Sequence, residues 1–307
     1  MKTLTLALLL LWLALTGGYA GWQSPTLTLV NLLAWLGLMV WLLHQCSNFE
    51  FDRIEQGLLL LIAAMLVSAL VNQTWQHSLI KIGVWLGYLG LYRLAHRWPD
   101  ETIHRAALWA LIPYALFSFF PNWGNQNVIA FNLLGLALLT GLPLLIAPAA
   151  VIAGAWLASI GGIVAGLVAL VRPRSPAPLL LCSPLILAGW WLNPAGYAWR
   201  LHFWADAWRG FWSAPLVGLG PGQYFTLNNW PHAHNLVATT AAELGLIGLA
   251  ALAWLIWAVA RRWPQLPVWA TALVAAYGAW SLVDEPLHIW GAGFIFFIAL
   301  SRERNDL

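Results

Sequence analysis

Five long apolar runs, at about 3–17, 26–43, 57–71, 78–95 and 104–120, fill the first 120 residues, with only short polar or Gly/Pro-containing breaks between them. Runs of this kind belong in a bilayer, where each backbone polar group must be satisfied within its own segment, so they read as helices. A β-barrel is excluded because the apolar residues are continuous and do not alternate. The whole chain carries the same signature: 61% of its 307 residues are apolar and 8% are charged, against roughly 25% charged in an ordinary soluble domain. The expected fold is therefore all-α, a polytopic membrane helix bundle forming one domain over residues 1–307. The formal charge of +3 is small and its Lys and Arg are spread among short loops, so no basic face exists for nucleic acid.

The basic residues set the topology. The loop at 44–56 carries Arg53 and the one around 93–105 carries Arg93, Arg97 and Arg105, whereas 18–25, 72–77 and 121–127 carry no Lys or Arg. By the positive-inside rule the first two are cytoplasmic. The 45 residues from 127 to 171 hold two comfortable helices at about 20 residues each, yet charge parity asks for an odd number. Three short spans, hinged near Gly141-Leu142-Pro143 and Ser159-Ile160-Gly161-Gly162, bring Arg172, Arg174, Arg261, Arg262, Arg302 and Arg304 to the cytoplasmic side. We therefore expect about twelve transmembrane helices with both termini cytoplasmic; two spans plus a re-entrant piece is the alternative. One longer external loop at about 193–233 follows from this parity, as does a short external turn at Asp284-Glu285-Pro286-Leu287-His288. A motif-bearing helix then runs over about 234–260. Lys2 and the apolar run ending at Ala20 resemble a signal peptide, but in a multispan chain they read as a first transmembrane helix.

The 23 tryptophans invite a reading as stacking platforms, but Trp also collects at both membrane interfaces. Cys46 and Cys182 form no CxxC, haem-attachment or zinc spacing, and read as buried thiols.

Candidate chemistry converges on the external side. The segment from Trp199 to Arg209 holds Arg200, His202, Asp206 and Arg209, and is followed by Pro215-Leu216-Val217-Gly218-Leu219-Gly220-Pro221-Gly222. Glycines this dense, here Gly220 and Gly222, let a backbone approach an anion closely, and arginines grip phosphate oxygens. The run lacks the lysine of a P-loop. His232, His234 and Asn235 come next, nine residues before Gly245-Leu246-Ile247-Gly248. On a helix starting at Asn235, Ala238, Ala241, Gly245 and Gly248 form one small-residue stripe aligned with His234, turning that imidazole toward the bundle. Glu243 falls on the opposite face, where a bare carboxylate is costly and Thr239 and Thr240 are its expected partners. Glu243, Gly245 and Gly248 are therefore assigned supporting roles. Lys81, near the external end of its span, is expected either to snorkel to the interface or to bind phosphate. His232 and His234 with an arginine pair suit a general base plus an anion clamp; no HExxH or carboxylate pair accompanies them, so no metal is expected.

These residues resemble a known family. Arg200-Leu201-His202-Phe203-Trp204, Pro215-Leu216-Val217-Gly218-Leu219-Gly220, and His234-Asn235 with nine residues before Gly245-Leu246-Ile247-Gly248 are similar to the bacterial O-antigen ligase, O-antigen polymerase and pilin O-oligosaccharyltransferase superfamily. The resemblance covers mainly 190–260, with weaker echoes at Gly124-Asn125-Gln126-Asn127 and Asp284-Glu285-Pro286-Leu287. It implies a multi-pass protein of the bacterial inner membrane with a periplasmic active site. It implies transfer of a glycan from an undecaprenyl-diphosphate carrier to a hydroxyl of lipid A-core, glycan or protein, without metal, nucleotide or other cofactor. The essential histidine of the family maps to His234 and one essential arginine to Arg200, as catalytic residues; His232, Asn235, Arg209, Lys81, Gly220 and Gly222 would line the substrate. A second family arginine is missing here, its place being Ser159-Ile160. Arg209 or Lys81 is the candidate replacement, since one guanidinium holds a diphosphate poorly. Ligase or polymerase is favoured over protein glycosylation because the chain lacks the soluble C-terminal extension of some protein-glycosylating members. Two readings of a different class stay open: a transporter of lipid-linked sugars, and haem handling, although the chain contains no Trp-Asp pair.

Overall fold

The structure, a computed structural model, describes residues 50–118, 126–140, 142, 194–230, 232–281 and 290–303, together with 3, 4, 6–8, 10 and 37. The described residues are mostly helical, with no strand among them. In chain order the helices are α1 (Arg53–Asn72), α2 (Trp75–Ala95), α3 (Asp100–Ser118), α4 (Gln126–Leu139), α5 (Pro194–Ser213), α6 (Phe225–Asn228), α7 (Leu236–Arg262), α8 (Val268–Trp280) and α9 (Trp290–Leu300), with a 3-10 turn at Trp263–Gln265. Two helices, α1 and α7 extended through Gln265, are long and apolar enough to cross a membrane. The expected spans at 3–17 and 26–43, the division of 127–171 beyond α4, Cys46, Cys182, Ser159-Ile160, Gly124-Asn125 and the 284–288 turn lie outside the described residues or almost wholly so.

The helices start earlier than their apolar runs because polar residues cap them. Asp52 and Glu55 form a reciprocal capping box at the start of α1, each side chain accepting the other's backbone N–H at 2.9 Å. This satisfies two donors that a helix start leaves open. Asp100 and Glu101 occupy the first turn of α3, where the helix dipole favours negative charge.

Helix α7 packs on α1 and α5; α1 packs on α2; and α9 packs on α2, α4 and α8. Helices α1 and α7 run antiparallel, with Gly57 against Leu255 at one level and Ser68 against the backbone of Glu243 at the other. A β-carbon on Gly57 would come within 3.0 Å of the Leu255 main chain, so glycine sets this close approach. The core of α2, α8 and α9 is aromatic: Tyr88 stacks on Phe297 at 5.0 Å, and Tyr277 on Phe296 at 5.8 Å.

Arg53, Arg93, Arg262 and Arg302 gather at one end of this bundle. Arg93 pairs with Glu55, Arg262 donates to Leu300 O at 3.2 Å, and the guanidinium of Arg53 lies over Trp257. Buried Arg302 donates to the carbonyls of Ala95 and Trp98 and to Asp100, tying the end of α9 to the turn between α2 and α3. At this end Tyr92 also donates to Asp52 at 2.6 Å. The connection between α1 and α2, the 214–224 segment, His232 and His234 lie at the other end.

Two expectations need correction. The segment 193–233 is not a loop throughout, because 194–213 form helix α5. Phe203, Ala207 and Gly210 are buried along one side of it at helical spacing. The low hydropathy of Arg200, Asp206 and Arg209 hides this amphipathic pattern. Helix α7, in turn, is not straight: Gly245 has φ +60° and ψ −152°, which no helix contains. The Leu236 N–H nevertheless reaches Ser281 O at 3.1 Å, just past the end of α8. A straight 27-residue α7 would carry Leu236 about 39 Å from Arg262, whereas the 13 residues of α8 rise only about 20 Å. The break reconciles them, turning residues 236–244 across the mouth of the bundle.

Candidate functional site

A helix broken at Gly245 exposes backbone groups at two new ends, and the glycine-rich segment satisfies them. The N–H groups of Leu246 and Ile247 donate to Pro215 O at 2.9 Å and Leu216 O at 3.2 Å, and the carbonyls of Ala242 and Glu243 accept from Leu219 N at 2.9 Å and Gly220 N at 3.0 Å. Ser68 adds hydroxyl contacts to Val217 O at 2.5 Å and Glu243 O at 3.0 Å, and Asn72 donates to Gly218 O at 2.9 Å. Irregular backbone at the edge of an apolar bundle persists only when protein groups replace water in this way.

The glycines are required by contact. Gly218, at φ +69°, packs directly on the Glu243 main chain, and Gly220, at φ +111°, packs on Thr74. The N–H of Gly220 is spent on Glu243 O, so this residue serves the helix break and not an anion cradle. Gly222 takes φ +77° in the same turn. The expected small-residue stripe is interrupted: Gly245 is the break itself, and Gly248 makes room for the Leu244 side chain folded back on it.

Glu243 and Lys81 are buried together, 3% and 8% exposed, with Lys81 Nζ donating to Glu243 Oε2 at 2.6 Å. Lys81 therefore does not snorkel, and Thr239 and Thr240 are not the carboxylate's partners; Thr239 Oγ1 accepts the N–H of Ala233 at 2.9 Å instead. The second Glu243 oxygen accepts Tyr224 N at 3.4 Å.

At the far end of the 236–244 half-helix, Asn235 is the N-cap, its side-chain oxygen accepting Ala238 N at 2.9 Å. His234 precedes it at φ +53°, a left-handed conformation that is costly for a residue bearing a β-carbon. Its half-buried ring lies 5.3 Å from Phe203 and 5.9 Å from Trp230, which stack on each other at 5.8 Å and 20°. The His232 ring is 4.5 Å away, and its Nδ1 accepts the backbone N–H of His234 at 3.2 Å. A neutral His232 thus carries its proton on Nε2.

Arg200 is one helical turn before Phe203 on α5, so both side chains leave the same side of that helix. Arg209 lies on another side, ion-paired with Asp206, which is 2% exposed and also accepts from Asn228 Nδ2 at 2.7 Å. Tyr224 ties the segment back to α5 through a 2.8 Å bond to Phe203 O. The structure thus brings His232, His234 and the side of α5 bearing Arg200 together, while Lys81, Gly220, Gly245 and Gly248 belong to the break. Phe203 and Trp230, not singled out from the sequence as site residues, form the aromatic shelf beneath His234. The signal for Phe203 was the 3.6 spacing in α5, which links it to Arg200; Trp230 had no sequence signal. Among the described residues, no group of three or more His, Cys, Asp or Glu side chains is placed to hold a metal. Compared with models of known protein families and with curated proteins, the chain matches none significantly.

Proposed function

We propose that the protein transfers a glycan from an undecaprenyl-diphosphate carrier to a hydroxyl acceptor, lipid A-core or another glycan, at the periplasmic face of a bacterial inner membrane. The observation that carries this reading is the strained His234, held on the Phe203–Trp230 shelf beside the helix that bears Arg200. In the proposed reaction the acceptor oxygen attacks the anomeric carbon, and the bond from that carbon to the phosphate oxygen breaks. His234 takes the hydroxyl proton, and Arg200 stabilises the departing undecaprenyl diphosphate. Aromatic faces suit the apolar side of a sugar ring, and a diphosphate is already a good leaving group. The Arg-bearing end of the bundle is then cytoplasmic, in keeping with the positive-inside rule, and we retain a count of about twelve spans. Lys81 is buried against Glu243, whereas Arg209 pairs with Asp206 but keeps most of its guanidinium exposed, so Arg209 is the candidate cation in place of the one missing at Ser159-Ile160.

The test is transfer in vitro by the purified wild type, His234→Ala and Arg200→Lys, each given undecaprenyl-diphosphate glycan with lipid A-core, free glycan or pilin as separate acceptors. Product from the wild type alone, identified by its acceptor, is the expected result; Arg200→Lys should be poor because Lys lacks the planar bidentate grip. Undiminished transfer by folded His234→Ala would remove the assignment. Carrier movement across the membrane with no new glycosidic bond would make the protein a transporter.

A further inference from the structure

Glu243 is the next-to-last residue of the half-helix 236–244, and the C-terminal end of a helix carries a partial negative charge. A buried carboxylate there is opposed both by that end and by desolvation. The Lys81 ammonium at 2.6 Å answers both charges, and it comes from α2, 162 residues earlier in the chain. Helix α2 is held along its length: Tyr88 stacks on α9, Tyr92 bonds to Asp52, and Arg302 donates to Ala95 O at its end. The half-helix, by contrast, turns on Gly245. Apart from its bonds to the 214–224 segment, its direct ties to the rest of the bundle include the Ser68 bond, the Leu236 bond to Ser281 and this ion pair.

We propose that Lys81 and Glu243 are a positioning pair, which clamps the half-helix across the mouth of the bundle and so sets His234 against Phe203 on α5. A specific charge pair fixes one register, whereas an apolar contact of the same volume tolerates several. The effect on catalysis rests on the glycan-transfer reading; the effect on position does not.

The experiment uses the full-length protein in nanodiscs, with Cys46 and Cys182 replaced by serine and spin labels at the exposed positions Val237 and Leu70. Pulsed dipolar spectroscopy then measures the distance from the half-helix to α1. The wild type should give one narrow distribution. Glu243→Gln should broaden or shift it, and exchanging the charges (Lys81→Glu with Glu243→Lys) should narrow it again. If Glu243→Gln does not fold, Lys81→Met with Glu243→Leu removes the register without stranding a charge, and its distribution should also be broad. A narrow, wild-type distribution in either variant that lacks the ion pair overturns the proposal. In the transfer assay, Glu243→Gln should lower kcat about 10- to 100-fold, the scale of a misplaced catalytic group, with KM for the carrier nearly unchanged. A lost clamp with no transfer by the wild type would reject the function and keep the positioning pair.

Discussion

Replacing Gly245 with alanine tests the broken helix directly. An alanine at φ +60° and ψ −152° costs about 1–3 kcal/mol in backbone strain alone. Its β-carbon would also lie 2.6 Å from the carbonyl carbon of Leu216 and 2.7 Å from Gly218 N, and backbone atoms cannot rotate aside. The other way out is to straighten α7. Alanine favours that by about 1 kcal/mol over glycine, and the helix regains its own hydrogen bonds. The 214–224 segment then loses four partners, at Pro215 O, Leu216 O, Leu219 N and Gly220 N, and stranding them costs about 1–3 kcal/mol each where they stay buried. Allowing for relaxation of the segment, either route destabilises by about 3–5 kcal/mol. Reversible unfolding in mixed micelles, followed by far-UV circular dichroism, would measure it. Gly37→Ala is the control, because Gly37 is helical and an added methyl there meets nothing within 4 Å; it should stabilise by up to about 1 kcal/mol. A Gly245→Ala protein as stable as the wild type would refute the account of the break.

Other substitutions probe neighbouring parts of the same assembly. Asn235→Ala should cost about 1 kcal/mol in the same unfolding assay, the usual value of a lost N-cap, while Asn235→Asp, which keeps the acceptor, should cost much less. Tyr224→Phe removes the bond to Phe203 O and the one accepted from Asn228; about 1–2 kcal/mol should be lost, with increased mobility of a probe at His232 by electron paramagnetic resonance. Arg302→Met removes the ion pair to part-exposed Asp100 and leaves Trp98 O without the Arg302 donor, while Ala95 O keeps the N–H of Trp98; about 1–2 kcal/mol should be lost at the far end of the bundle. The Val237–Leu70 distance should stay as in the wild type for that variant, since nothing at the mouth has changed.

The apolar runs made the helices α1, α2 and α3 legible, because continuous apolar stretches of that length carry no strand alternation and fit a buried helix. Arg53, Arg93, Arg262 and Arg302 do lie at one end of the bundle, as their placement by charge required. Helix α5 escaped notice because hydropathy counts Asp206 and Arg209 as polar, whereas Asp206 is buried by its ion pair beside the stripe of Phe203, Ala207 and Gly210. The break in α7 was equally hidden. Ala238, Ala241, Gly245 and Gly248 fit a straight small-residue stripe as well as a bent one, and only the tertiary hydrogen bonds at Pro215 and Leu216 choose between them. Lys81 and Glu243 were each legible as unusual, but their pairing spans 162 residues and no local pattern encodes it. His234 and Asn235 were picked out by type, yet a left-handed φ at His234 could not be read from the sequence, since glycine is the residue that normally marks one.

The two sequence motifs turn out to be one physical unit. The nine residues between Asn235 and Gly245 are the half-helix itself, from its cap to its break. Their number sets how far His234 stands from the turn, about 15 Å at the rise of an α-helix, and also its angle, since one residue more or fewer rotates it by about 100°. Pro215 to Gly220 is the strip of backbone that fills the break: two carbonyls accept from one side, two N–H groups donate to the other, and Gly218 allows the close approach. Neither motif has a stable conformation without its partner, because each leaves buried polar groups that only the other satisfies. Glycine spacing that resembles an anion site is accounted for here by geometry alone. What remains for chemistry is the part of the assembly that the break does not use: the imidazoles of His232 and His234, the Phe203–Trp230 shelf and the side of α5 that carries Arg200.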